Sequence, residues 1–389
     1  MPSQRRSTRL SPGSSARRAP FLCLLALLAA AVAAACGGGG GEGEAILLVP
    51  EGNRLLALSA RDPGRRQVLI PSAADAPGVG RDVNGQICSL PGTRRFVAGE
   101  DTGQPTPPPG FGVFELEGDE IGSLGWRQVG RLVPTYQGEP GPAGVPPTAD
   151  PYGCAFLPDG RLLTTDIGNS AAGPPTGQLV IWFPPLDAER PRSCKIDVAI
   201  GTAQSVVVDD RGRAYVASAR ATAGVWRYLP PFPSSDEASG GCGRRDATGA
   251  PLADRVSKEL VVRADANVPT PTGLALTRQG TLLVASVLNG VIAEYETDGR
   301  FLRRLLEPPA GEGLGPEPLS TGSPLGIALA PDGALLYADL GLVARGGEIG
   351  PGPRTGTLRR IRFQGDEPQP PETLASGLDF PDGVGVLLR

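Results

Sequence analysis

Residues Tyr152–Asp166 read "YGCAFLPDGRLLTTD", Gln204–Ser218 "QSVVVDDRGRAYVAS", Thr272–Ser286 "TGLALTRQGTLLVAS" and Leu325–Asp339 "LGIALAPDGALLYAD". One register runs through all four: a small residue, a glycine seven positions later, and a polar residue six positions after that. The marks are Gly153, Gly160 and Asp166; Ser205, Gly212 and Ser218; Gly273, Gly280 and Ser286; Gly326, Gly333 and Asp339; and, more loosely, Gly85 with Gly99 and Glu100. Short apolar runs broken by a polar residue and glycine describe two strands around a tight turn. The register therefore predicts five copies of one hairpin.

Each interval holds more than that hairpin. A third apolar run with its own glycine follows, as in "GVFELEG" from Gly112, "GQLVIWF" from Gly177, "GVWRYL" from Gly224, "GVIAEYE" from Gly290 and "GTLRRIRF" from Gly356, and then a fourth, such as "FLRRLLE" from Phe301. Four antiparallel strands per repeat make the blade of a β-propeller. The sixth mark, Gly383, has too little chain after it for a blade. The missing strands lie at the other end, where Ala45–Ile70 aligns with the second, third and fourth strands of a blade, Leu47-Leu48-Val49 matching Leu282-Leu283-Val284. The expected fold is all-β, a six-bladed propeller of four-stranded antiparallel blades, its ring closed by pairing of the C-terminal strand with the N-terminal strands. Closure of this kind removes open sheet edges. Two positions after the marks stand Ala155, Val207, Ala275, Ala328 and Gly385, with Ile87 the bulky exception, as crowding of inner strands near the axis would require.

Composition agrees. The 389 residues include 56 Gly and 42 Pro spread between short Val, Leu, Ile and Ala runs, which many strands and turns demand. Residues 1–35 stand apart as a secretory leader: Arg5, Arg6, Arg9, Arg17 and Arg18 precede the apolar run Phe21–Ala35, which ends in small residues before Cys36. The setting of that cysteine resembles the bacterial lipoprotein box, with Ala33 where Leu is usual. It implies lipidation of Cys36, a glycine-rich tether over 36–44 and the propeller over 45–389, anchored outside the cytoplasm of a bacterium, in the outer membrane or periplasm or on the cell surface. A leader cleaved with no role for Cys36 is the alternative. Without the leader's five arginines the chain has 32 basic against 41 acidic residues, a net charge of about −9. That excludes the concentrated basic face of a nucleic-acid binder. Cys88, Cys154, Cys194 and Cys242 remain for an oxidising compartment. Their places on neighbouring repeats favour Cys88 with Cys154 and Cys194 with Cys242. Metal binding by these cysteines finds no CxxC spacing and no histidine to support it.

The pattern P-x-G-x-A-x-x-P-D-G-x-L-x-x-x-D, met at Pro151–Asp166 and Pro324–Asp339, resembles the NHL-type propellers and the gluconolactonase-like family, both six-bladed. The resemblance covers nearly all of the chain after the leader and specifies architecture better than activity.

Candidate chemistry follows from the register. The residue before each mark and the residue thirteen after it end paired strands on one face of the disc. Asn84, Tyr152, Gln204, Thr272, Leu325 and Asp382 form one ring at the mouth of the central channel; Glu51, Glu100, Asp166, Ser218, Ser286 and Asp339 form a second, with Asp101, Asn169 and Asn289 beside it. The ligand-binding candidates are Asn84, Tyr152, Gln204, Thr272, Asp166, Asn169, Ser286, Asn289 and Asp339. Glu51, Glu100, Asp166, Asp339 and Asp382 make an acidic funnel able to hold Ca²⁺ or another divalent cation, with Glu51, Asn84, Glu100 and Asp382 as the metal quarter. The competing reading gives these strand-end side chains to backbone amides of the following turns.

The gluconolactonase-like resemblance implies a metal-dependent lactonase holding one divalent ion with a Glu, two Asn and an Asp; Pro381-Asp382-Gly383 looks like the Asp-bearing segment and Asn84-Gly85 like an Asn-bearing one, while Thr272 and Leu325 depart from the pattern. The absence of histidine excludes Ser-His-Asp and Cys-His chemistry. Acid or base work falls to Asp382, the catalytic candidate. Trp182, Phe183, Trp226, Tyr228 and Phe232 either stack against a ligand or fill the gaps between blades. The expectation is a monomeric, membrane-anchored binding module for a small molecule, glycan, peptide or envelope protein, its recognition surface the mouth and the long loops 102–111, 134–150, 231–256 and 340–355. A divalent-metal lactonase or esterase is the runner-up.

Overall fold

The computed structural model describes residues 45–101, 108–135, 150–168, 176–220 and 223–388. Cys36, the leader, the tether and Asn169 lie outside the described residues, as do most of loops 102–111 and 134–150. Six four-stranded antiparallel blades follow one another. Blade I joins Gly385–Leu387 to Ile46–Glu51, Arg54–Ser59 and Arg66–Ile70. Blade II is Val83–Ser89, Arg95–Glu100, Gly110–Glu117 and Gly125–Leu132. Blade III is Pro151–Phe156, Leu162–Asp166, Gly177–Phe183 and Arg192–Ile200. Blade IV is Ala203–Val208, Ala214–Ser218, Gly224–Leu229 and Ser257–Arg263. Blade V is Pro271–Leu276, Leu282–Ser286, Val291–Tyr295 and Phe301–Leu306. Blade VI is Pro324–Leu329, Leu335–Asp339, Gly356–Ile361 and Glu372–Leu378. Among the described residues the one helical piece is a 3₁₀ turn at Ala238–Gly240, and no helix is long and apolar enough to cross a membrane.

The predicted closure is present: Ile46, Leu47 and Leu48 pair with Leu387, Val386 and Gly385. The inner strands of neighbouring blades pack on one another all the way round. Crowding is greatest at the marks themselves, and the glycines there have a specific cause. A Cβ on Gly85 would lie 2.4 Å from Tyr152 O, on Gly153 2.3 Å from Gln204 O, on Gly273 2.4 Å from Leu325 O, on Gly326 2.8 Å from Asp382 O and on Gly383 1.9 Å from Gly85 O. Each glycine thus lets one inner strand lie against the backbone of the next. Ser205, the one mark with a side chain, uses it: its hydroxyl accepts from Leu274 N at 3.2 Å and donates to Gln86 Oε1 at 3.1 Å. The bulky Ile87 fits because its neighbour in blade I is Gly385, whose Cβ would stand 2.5 Å from the Ile87 side chain.

Cores lie between the blades. Trp182 is buried between blades II and III with its indole N–H on Thr164 Oγ1 at 2.8 Å; Phe183, Tyr228 and Phe232 join the core between III and IV. These aromatics fill gaps between sheets. Both expected disulfides form: Cys88–Cys154 ties the inner strands of II and III, and Cys194–Cys242 ties the outer strand of III to the insertion of blade IV.

That insertion, within the long loop 231–256, is a strap. Its strands Arg244–Arg245 and Pro251–Leu252 extend the sheet of blade III, Leu252 pairing in parallel with Lys195. It covers what would be an open edge, and it carries a buried ion pair, Lys195 Nζ to Asp246 Oδ2 at 2.5 Å. Loop 340–355 forms a hairpin, Leu342–Arg345 with Glu348–Pro351, on the mouth side of blade VI; Arg345 donates to Pro316 O at 3.0 Å.

Candidate functional site at the channel mouth

The hairpin register places the two rings where strand pairing requires. Val83 pairs with Glu100, Pro151 with Asp166, Ala203 with Ser218, Pro271 with Ser286 and Pro324 with Asp339, so the residue before each mark and the polar residue that ends the second strand share one face.

The second ring is spent inside the blades. Glu51 accepts from Arg54 Nε at 2.6 Å and from Asp379 N at 2.9 Å. Glu100 accepts from Gln128 Nε2 and Arg131 Nε, both at 3.0 Å, with Arg81 Nε 3.6 Å away. Asp339 accepts from Ser323 N at 2.6 Å, Gly341 N at 2.8 Å and Thr357 Oγ1 at 2.8 Å, and pairs with Arg359 at 3.0 Å. Asp166 accepts from Gly168 N at 2.8 Å and Ser286 Oγ from Thr270 N at 3.2 Å. These contacts tie strand ends to the turns that follow them.

Several first-ring residues are also structural. Thr272 donates to Ala285 O and Pro324 O, each at 3.3 Å. The Asn84 amide, oriented so that its NH₂ donates, reaches Pro151 O at 3.1 Å and Gly99 O at 3.3 Å. Asn289, beside the second ring, donates to Asn267 O at 3.0 Å.

Asp382 makes no ion pair among the described residues. It is buried, one oxygen accepts from Gly85 N at 3.0 Å, and the other, Oδ1, has no hydrogen-bond partner. Tyr152, from blade III, reaches across blade II to donate its hydroxyl to Asp382 O at 2.7 Å. Glu100 Oε1, Gln178 Oε1, Gln204 Oε1 and Asn289 Oδ1 are further buried acceptors without a hydrogen-bond partner. Burial pushes the Asp382 carboxyl up to about 7, Asp150 raising it further against the lowering effect of the Gly85 amide. Burial likewise pushes Asp150 up to about 7, with Asp101 adding to the rise. The Tyr152 hydroxyl is held well above its usual range by burial and by Asp382 and Asp150. Asp150 stands immediately before blade III at the end of a Pro- and Gly-rich loop, outside the repeat register, and sequence reasoning missed it. The signal available was its place next to Pro151, which pairs with a second-ring residue.

The mouth has two unlike halves. Asp101, Asp150 and Asp382 bring carboxylates from blades II, III and I. Beside them, Leu325, Leu340 and Leu342 of blade VI pack with Tyr152 and Ile167 of blade III and with Val287 and Leu314. Asp382 sits at the junction, because Gly326 packs directly on its carbonyl. Asp101, Asp150, Gln204, Ile167 and Val287 at the rim are half-buried, whereas Asp382, Tyr152 and Leu325 at the base are buried.

Among the described residues no three His, Cys, Asp or Glu side chains gather as a set able to hold a metal ion. Glu51 and Glu100 face arginines, and Asn84 turns its NH₂ to carbonyls. The donor set that a gluconolactonase-like metal would need does not fit, and no step through a metal follows. Away from the mouth, a cleft of about 1000 Å³ opens between blades V and VI beside the turns Thr277–Gly280 and Ala330–Gly333.

No known protein-family profile matches the chain, and no curated protein matches it. Solved structures do. A chain of the nidogen/laminin complex superposes with a TM-score of 0.52 at 12% identity, covering 88% of this chain and 98% of that one. Luciferin-regenerating enzyme superposes with a TM-score of 0.51 at 15% identity, covering 87% of this chain and 92% of that one. What is shared at such identities is the propeller fold.

Proposed function

We propose that this chain is a membrane-anchored, extracytoplasmic binding module that receives a hydrogen-bond-donating ligand at the channel mouth, on Asp382. The observation that carries the reading is the unfilled acceptor Asp382 Oδ1. A buried carboxylate oxygen without a partner is costly, and a ligand that donates to it recovers that cost. Glu51 and Asp339 accept on both oxygens, and Glu51, Glu100 and Asp339 each have an arginine beside them, whereas Asp382 makes no ion pair among the described residues. Two disulfides joining blades fit an oxidising compartment, and lipid on Cys36 would tether the disc to a membrane.

The test is a thermal-shift screen of small amines, sugars and peptides against the full chain purified in detergent, run with EDTA. Stabilisation that survives chelation and disappears in Asp382→Asn is expected. The lactonase reading predicts something else: lactone hydrolysis that needs added Ca²⁺ and is abolished in the same variant. Mass spectrometry of the processed N-terminus checks the anchor; an unmodified start away from Cys36 would refute it.

A further inference from the structure

The two unlike halves of the mouth specify more than an acceptor. Resting on the reading above, we propose that the ligand is an organic ammonium with an apolar substituent: the cationic head on Asp382 with Asp150 behind it, the tail against Leu325, Leu340 and Tyr152.

Three observations carry this. Asp382 Oδ1 is a buried acceptor without a partner, so what it lacks is a donor. An ammonium supplies two or three N–H donors from one atom. Second, Asp150 makes no ion pair among the described residues, and its charge disfavours that of Asp382. A monocation between them relieves that repulsion, and with no set of three carboxylates gathered, the site offers too few anionic ligands for a divalent ion. Third, the apolar half is contiguous with Asp382. Leu325 is its neighbour in the ring, and the Tyr152 ring, held by its own hydroxyl on Asp382 O, presents an aromatic surface beside the carboxylate. A metal ion would draw nothing from that wall. An alkylammonium would bury its tail on it and gain a cation–π contact from the tyrosine.

The experiment is calorimetry on the full chain at pH 8 with ethyl-, butyl- and hexylammonium chloride, sodium hexanoate and CaCl₂. Binding of the ammonium series should tighten by about threefold to fourfold per methylene as the tail is buried. It should weaken at least tenfold in Asp382→Asn, which keeps the acceptor for Gly85 N, and more than tenfold in Leu325→Glu. Hexanoate should not bind. Tyr152→Phe, which keeps the ring, should retain binding, so that a variant that merely failed to fold is recognised. Binding of hexanoate equal to that of hexylammonium, or ammonium binding untouched by Asp382→Asn, overturns the inference. If CaCl₂ binds through Asp382 and the ammonium ions do not, the ammonium inference falls while the mouth remains the binding site. If no probe binds and a ligand from the wider screen acts elsewhere, both fall.

Discussion

Asp382 holds a proton more tightly in the folded chain than in the unfolded one, and so does Asp150, because each is pushed from 3.8 to about 7 chiefly by burial. For an acid shifted this way the stabilising contribution is full below the unfolded value and is lost as pH rises to the folded one. Thermal stability should therefore fall between about pH 4 and pH 7 and level off above. Asp382→Asn should melt at a higher temperature than wild type at pH 8, match it near pH 4 and show a shallower slope between; melts followed by circular dichroism across that range decide it. The mark glycines give a second residue-scale prediction. Gly383→Ala puts a Cβ 1.9 Å from Gly85 O, a backbone atom that cannot step aside. Overpacking of this kind costs about 1–3 kcal/mol or more. Urea unfolding should show that loss, while Gly333→Ala, which meets open space and bears only the strain of φ +84°, should lose less, about 1 kcal/mol.

Among elements, the strap shows how a long loop can serve the scaffold. Loop 231–256 reads as a recognition loop because Pro, Gly and Ser crowd it, yet it is pinned by Cys194–Cys242, by the pairing of Leu252 with Lys195 and by the buried Lys195–Asp246 pair. Asp246→Ala would leave an uncompensated buried ammonium and should cost about 3–5 kcal/mol, with Lys195→Met plus Asp246→Leu costing less. Chemical denaturation of both variants measures the difference. Opening Cys194–Cys242 by Cys→Ala at both positions should cost about 2–5 kcal/mol.

The strands, their grouping into blades and both disulfides were legible in the sequence because they follow a repeating register of glycines and apolar runs. The fate of the second ring was not. Arg131 on a fourth strand, Arg81 on a connection and Arg359 on a third strand, which meet Glu100 and Asp339, stand at no shared position of the repeat. Only the fold shows that they meet those carboxylates. Asp150 was hidden for the same reason.

On the scale of the whole molecule, the ring is fastened at one place. Gly385–Leu387 supply the inner strand of blade I, and without them Ile46–Leu48 would present an unpaired edge. A chain stopped after Phe380 should lose cooperative unfolding and run as higher oligomers in size-exclusion chromatography with light scattering, since an open edge recruits strands from other copies. A synthetic peptide covering Asp382–Leu388 should return the truncated chain to the elution and mass of the full chain. The same seam sets an order of events during biogenesis. Ile46 and its partner Leu387 are separated by more than 300 residues, so the first blade to leave the ribosome is the last to be finished. Until Gly385–Leu387 arrive the growing chain carries that raw edge, and a chaperone has one short stretch to guard.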